Sequence, residues 1–360
     1  MIPDDIQLVA QKLGKHLPFG DVCEVIALAP DVSARRYFRV LYSHREPSTA
    51  VLAFMPDGVG PLGGGSQDIE QRDAFILIQQ LLQKHDIRVP EIYATAPKDK
   101  CLLLEDLGQE TLAARIASPE TSREEKDALL KQAIQILSQV QNIPVRADTE
   151  SCALLVERQP QFEQLRKGPE EFSHFYLRDS GLTVGEREIF SDFSCQLSEE
   201  IMSHPRVVSH YDFIGHNIHI LHDNTLAIID FQDACLESVA RDLHALLCDR
   251  DMARHLGEHH HRELFEFATT ILPLPESFLP IYFEYAVHWD MRVAGRFSKL
   301  VLDDGRAQYE QWIPHTVGRV MHELEAICKK FERAADIIDI ILKRSGKAKE
   351  WASMAWTVRY

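Results

Sequence analysis

The stretch from Val207 to Ala234 reads VVSHYDFIGHNIHILHDNTLAIIDFQDA and contains His-x-Asp-x-x-x-x-Asn followed by Ile-Ile-Asp-Phe. It places one carboxylate, Asp212, ahead of an amide, Asn217, and a second carboxylate, Asp230. Phosphoryl transfer asks little covalent chemistry of a protein; it needs an oriented hydroxyl and divalent cations that bridge nucleotide phosphates. Asp212 suits the base that aligns a hydroxyl and takes its proton. Asn217 and Asp230 are hard oxygen donors of the kind Mg²⁺ prefers. His210 is expected to brace the loop through backbone hydrogen bonds. Asp233 reads equally as a second metal or water ligand and as a cap beyond the strand. Asp242, in Ala240-Arg241-Asp242-Leu243, opens a helix. It is either an acid favoured by the helix dipole or an anchor for the catalytic-loop backbone.

These residues need a hairpin to hold them. Val207-Val208 runs into the loop, Ile218-His219-Ile220 alternates as a short strand, and His222-Asp223-Asn224 is turn chemistry before the apolar Leu226 to Ile229. Upstream, Asp21 to Ala29, Tyr37 to Tyr42, Thr49 to Phe54, Val89 to Tyr93 and Cys101 to Glu105 read as five antiparallel strands. One helix, about 67 to 85, follows the third. A further helix is expected over 4 to 16. After Leu107-Gly108 the pattern changes to amphipathic helices over about 109–117, 122–141, 160–179, 184–203, 240–250, 258–271, 276–300 and 308–342. The expected class is α+β, a bilobal protein-kinase-like fold. Residues 1–107 would form a small nucleotide-binding lobe, and 108–360 a large, mostly helical lobe carrying catalytic loop, metal site and acceptor pocket.

In the small lobe, Asp31-Val32-Ser33-Ala34-Arg35-Arg36 occupies the place of a phosphate-covering turn without glycine. Arg35 and Arg36 offer guanidinium donors instead; one is expected on phosphate oxygens and the other in solvent. The third strand, TAVLAF, holds no lysine, so an arginine must stand in for one. Glu70 and Asp73 are candidates to pair with it. Gly58 to Gly65 is not a Walker loop, since no Lys-Ser or Lys-Thr pair follows. The His-rich run from His255 to His261 is expected to be a solvent-facing helix.

With 360 residues and a net charge of -16, general nucleic-acid binding is disfavoured. An anionic substrate is not, because Mg²⁺ and local arginines outweigh the global field. Seven cysteines without a C-x-x-C pair suggest reduced, buried thiols. No apolar run approaches the roughly 20 residues that span a bilayer. A cytoplasmic enzyme that requires neither membrane nor oligomer is the expectation.

Several runs together resemble the aminoglycoside phosphotransferase and choline kinase superfamily, and within it the bacterial kinases that phosphorylate N-acetylmuramate and N-acetylglucosamine at the anomeric hydroxyl. They are Ser33-Ala34-Arg35-Arg36-Tyr37-Phe38-Arg39, Val89-Pro90-Glu91-Ile92, Leu102 to Gly108 (LLLEDLG), Ile229 to Ala234 (IDFQDA) and Val293 to Leu300 (VAGRFSKL). The resemblance implies Asp212 as base, Asn217 and Asp230 as Mg²⁺ ligands and ATP as donor. Ser33, Arg35 and Arg36 would belong to the cofactor site, and the backbone from Leu104 to Leu107, Glu105 included, would lie on adenine. The acceptor would be a sugar or amino sugar, with another alcohol such as an aminoglycoside or choline, or nucleotide binding without catalysis, as alternatives. The chain departs from the family at Tyr211, where arginine is usual, and at Trp289-Asp290, where an Arg-His pair is usual. Trp289 would then stack on a sugar face and Asp290 bind hydroxyls, with Arg292 and Arg296 compensating for a carboxylate-bearing acceptor.

Overall fold

The computed structural model describes residues 6–15, 17–28, 35–43, 48–56, 71–146, 149–250 and 252–354. Ser33, Glu70 and the Gly58–Gly65 loop lie outside them. Contacts divide the chain into two compact units. One comprises residues 1–112, 144–158 and 216–235, and the other 113–143, 159–215 and 236–360. The boundary therefore does not follow the two contiguous lobes 1–107 and 108–360. Residues 216–235 fall in the smaller unit because Ile220 N donates to Glu110 O at 2.9 Å and Ile228 N to Arg88 O at 3.0 Å.

In the smaller unit, α1 (Ile6–Gly14) precedes β1 (Val22–Ala27), β2 (Arg36–Tyr42), β3 (Thr49–Phe54), α2 (Gln71–Lys84), β4 (Ile92–Ala96) and β5 (Cys101–Glu105). The strands form one antiparallel sheet in the order β1-β2-β3-β5-β4. Alternation puts Ala50, Leu52 and Phe54 of β3 with Cys101 and Leu103 of β5 in one core, together with Val9, Ala10 and Leu13 of α1. β4 starts later than its apolar run, at Ile92. Pro90 has no N–H for a ladder, and its carbonyl instead accepts from Gln79 Nε2 at 3.1 Å. The sequence pattern also misses three short helices, Glu150–Glu157 (capped by Thr149), Met252–Leu256 and Ala348–Met354.

In the larger unit, α3 (Leu112–Ala117), whose first residue belongs to the smaller unit, leads to α4 (Arg123–Gln141). The Glu150–Glu157 helix is α5, followed by α6 (Phe162–Glu171), α7 (Val184–Ser203) and β6 (Arg206–Ser209). The hairpin β7 (Ile218–Ile220) and β8 (Leu226–Ile228) belongs to the smaller unit, and β9 (Cys235–Ser238) pairs with β6. The remainder is helical: α8 (Arg241–Cys248), α9 (Met252–Leu256), α10 (Glu258–Ile271), α11 (Phe278–Leu302), α12 (Ile313–Ile327), α13 (Glu332–Arg344) and α14 (Ala348–Met354). The helix expected over 308–342 is two, broken at the buried Phe331. That expected over 160–179 is also interrupted. Pro169 lacks an N–H, which frees the Leu165 carbonyl, and α6 passes into one wide turn over Phe172–Tyr176. The buried His288 ring of α11 packs against α6 at Gly168. Gly168 is needed there, because a Cβ would stand 2.7 Å from His288 Nδ1. Gly295, on the same helix, faces the Glu171–Phe172 backbone at 2.6 to 2.8 Å from where its Cβ would be.

None of the described cysteines forms a disulfide, although Cys23 is exposed and Cys195 and Cys328 are half-buried. No helix among the described residues is long and apolar enough to cross a membrane.

Gly295→Ala should force α11 away from α6 and cost about 1–3 kcal/mol, read as a lower urea midpoint with the slope unchanged. His288 supplies a pH signature. Burial, reinforced by Arg292 and Arg241, holds its ring down at about 3, whereas an unfolded imidazole protonates near 6.5. Between those values the unfolded chain binds the extra proton, so stability falls as pH falls. Urea titrations from pH 7 to pH 4 should show the native protein losing about 1.4 kcal/mol per pH unit more than His288→Gln.

Candidate active site

In the larger unit, the loop that carries Asp212 is held from below by the start of α8. Asp242 accepts from Ser209 Oγ at 2.9 Å and from His210 N at 2.7 Å. Ser209 Oγ in turn accepts from Tyr211 N at 3.0 Å. Burial raises the Asp242 carboxyl, while His210 and Arg241 pull it back. His210 is buried, and its Nδ1 accepts from Asp212 N at 3.3 Å, so the ring closes the turn that presents Asp212. Asp212 itself is half-buried.

Tyr211 sits at φ 77°, a left-handed conformation that costs a bulky side chain about 1–2 kcal/mol. Arg241 offsets this. Its Nε and Nη2 donate to the Tyr211 carbonyl at 2.8 and 2.6 Å, and its guanidinium lies 3.6 Å from the Tyr211 ring centroid. The same guanidinium lies 4.6 Å from the Trp289 ring and donates to the Tyr285 hydroxyl at 2.5 Å. Arg241 was not singled out in the sequence; its signal was its place directly before Asp242.

In the smaller unit, β7 and β8 pair Ile218 with Ile228, and Ile229 N donates to Asn217 O at 2.9 Å. The hairpin register thus draws Asn217 and Asp230 to one end. Asp230 adopts φ 64°, turning its carboxylate off the strand line. Arg35 meets it at 2.8 Å and reaches Asp233 at 3.7 Å. Gln232 Nε2 donates to Asp230 Oδ1 and Asp233 Oδ2, both at 3.0 Å, and Arg158 bonds the Gln232 carbonyl. Burial raises the Asp233 carboxyl against the opposing pull of Arg35 and Gln232. Packing of Phe231 on Phe75 of α2, ring centroids 4.7 Å apart, seats this turn. Among the described residues Asp230 Oδ2 has no hydrogen-bond partner. That oxygen and the Asn217 amide oxygen are the hard donors that fit a Mg²⁺ ion.

Arg36 Nη1 donates to the Arg35 carbonyl at 2.8 Å. Asp73 pairs with its neighbour Arg72, on a half-exposed helix face. Farther along β2, Arg39 clamps Asp106 through two bonds of 2.6 and 2.9 Å and touches Gly108 O at 3.3 Å. It thereby fixes the segment after β5. Glu105 closes the sheet through Glu91 and takes Arg88 with its side chain, while Leu107 is buried at its edge.

Three expectations change in the larger unit. Asp290 is fully buried, with both oxygens held by Arg319 at 2.7 and 2.8 Å, so it is a core ion-pair residue and not a hydroxyl ligand. Trp289 is buried at 7% exposure, its ring near Arg241, which leaves little face for a sugar. His260 and His261 are buried too, although His259 is exposed. Arg292 remains half-buried, and the nearby Tyr211 side chain raises its already high pKa.

Fold and site together define a phosphotransferase. The Phosphotransferase enzyme family matches residues 24–269, and the chain belongs to it. It is an enzyme that phosphorylates an alcohol group. It is similar to the N-acetylmuramate/N-acetylglucosamine kinase of Neisseria meningitidis serogroup B, 26% identical over 330 residues, covering 88% of this chain and 90% of the relative. In fold it is similar to the aminoglycoside phosphotransferase APH(2")-IIa in complex with gentamicin, with a TM-score of 0.57 at 14% identity, covering 87% of this chain and 97% of the other. The same enzyme in its streptomycin–ATP ternary complex matches with a TM-score of 0.53 at 16% identity, covering 86% and 97%. Nucleotide use is common to these neighbours.

Asp242→Ala should leave His210 N and Ser209 Oγ without their buried acceptor. The expected cost is about 1–3 kcal/mol in thermal or urea unfolding, together with a fall in turnover because the Asp212 loop loses its floor.

Proposed function

We propose that this chain is an ATP- and Mg²⁺-dependent kinase of amino sugars, transferring the γ-phosphoryl group to the anomeric C1 hydroxyl of N-acetylmuramate, N-acetylglucosamine or both. The observation that carries it is the braced His210-Tyr211-Asp212 turn, followed in the chain by Asn217, whose carbonyl holds the strand ending in Asp230. In this reading the Asp212 carboxylate accepts a hydrogen bond from the sugar hydroxyl, aims its oxygen at the γ-phosphorus and takes the proton as the new bond forms. Asn217 and Asp230 would hold Mg²⁺, which when bound neutralises the phosphate charge. Arg35, kept in place by Asp230 and Asp233, takes the part of the absent strand lysine, with Ser33 and Arg36 on the same phosphates. The backbone from Glu105 to Leu107, fixed by the Arg39–Asp106 clamp, receives adenine.

The amino-sugar acceptor is drawn from the named relative. The fate of Asp290 supports it: with that carboxylate neutralised by Arg319, Arg292 beside Tyr211 is left as a cation suited to the lactyl carboxylate of N-acetylmuramate.

A mass-spectrometric screen with ATP and Mg²⁺ tests the reading. N-acetylmuramate, N-acetylglucosamine, an aminoglycoside and choline serve as acceptors. The expected product is a monophosphate of an N-acetyl sugar whose phosphate is released by mild acid, as an anomeric ester is. Asp212→Ala and Asp230→Ala should each lower turnover about 100-fold or more while remaining folded. An acid-stable phosphate would overturn the C1 assignment, and transfer confined to the aminoglycoside or choline would overturn the acceptor class.

A further inference from the structure

The larger unit buries a second polar centre that the proposed reaction does not use. Helices α8, α11 and α12 each send one ionisable side chain to a common point: His244, Asp290 and Glu323, all at 1% exposure or less. One candidate ligand atom from each lies within 4.8 Å of the others. His244 Nε2 stands 3.5 Å from Asp290 Oδ2. Among the described residues, neither oxygen of Glu323 has a hydrogen-bond partner, and neither does His244 Nε2.

The surroundings determine what these atoms present. His244 Nδ1 lies 3.1 Å from the Tyr282 hydroxyl, so the tautomer that carries its N–H on that side would turn the Nε2 lone pair toward the carboxylates. Arg319 binds both Asp290 oxygens and so orients that carboxylate. Cys248, one turn beyond His244, places Sγ 3.5 Å from His261 Nε2. Arg319 offsets Asp290, whereas the buried oxygens of Glu323 and His244 Nε2 lack a partner among the described residues, and unpaired buried polar atoms are costly. A proton bridges one pair of acceptors and leaves the third unmatched. A divalent ion serves all three. An ion with bonds of about 2.1 Å in tetrahedral array sets its ligand atoms ~3.4 Å apart, close to the His244–Asp290 separation. An imidazole nitrogen among the donors favours zinc and similar transition ions over magnesium.

We propose that His244, Asp290 and Glu323 form a buried structural site for a zinc-class divalent cation, with Tyr282 and Arg319 positioning the ligands. The ion ties α8 to α11 and α12. Because α8 also carries Asp242, the floor of the Asp212 loop, the same ion steadies that floor from behind.

Tag-free protein, grown with zinc and purified without chelator, is analysed for metals by mass spectrometry. One zinc-class ion per chain is expected. It should persist in Asp230→Asn, which removes a ligand of the phosphoryl-transfer metal, and be lost in Glu323→Gln and His244→Asn. Stripping the ion from wild type should lower the melting temperature, added Zn²⁺ should restore it, and Co²⁺ should give visible absorption bands absent from Glu323→Gln. Wild-type protein that carries no such ion and gains no stability from added Zn²⁺ overturns the proposal, whether or not the variants fold. Undiminished metal content in folded Glu323→Gln and His244→Asn overturns it equally.

Discussion

The contact on which the rest of the candidate site depends is the one between Arg241 and Tyr211. A tyrosine in a left-handed conformation is unfavourable by itself, yet this conformation turns the chain between β6 and Asp212. Arg241 compensates twice, with two charge-assisted bonds to the Tyr211 carbonyl and a guanidinium laid on its ring. Asp242, next in sequence, holds the preceding backbone and Ser209. Two consecutive residues of one helix thus set the geometry of a three-residue loop. The tyrosine that departs from the family's usual arginine is integrated here with an arginine supplied from α8.

Charge is managed by the same economy in the smaller unit. Asp230 and Asp233 stand close together, and Arg35 and Gln232 keep them from repelling one another. Arg35 stands directly before β2 and not on β3, which holds no lysine. A positive group is thus held at the acidic turn, which is fastened by Arg158 and by the Phe75–Phe231 packing.

How much of this could be read in advance follows from the range of each interaction. The five strands, the helix after β3 and helices such as Val184–Ser203 and Glu258–Ile271 declare themselves through local apolar periodicity, because one face of each must be buried. Breaks are harder to read. Pro169 warns of one, but its consequence, a wide turn beside which His288 packs on Gly168, involves a residue more than a hundred positions away. The split between α12 and α13 at Phe331 is likewise a packing decision.

The sequence by itself determined the class of fold, the family and the short-range spacing of Asp212, Asn217 and Asp230, since a loop and a two-strand hairpin are specified by neighbours in the chain. Only the tertiary structure decided the employment of the charged residues. Asp290 was open to a substrate role on its helix face until Arg319, from another helix, claimed both its oxygens. His261 was read as solvated until α10 turned it toward Cys248. A carboxylate or imidazole acts according to what lies within about 3 Å of it, and in this chain those partners come from segments far apart in sequence.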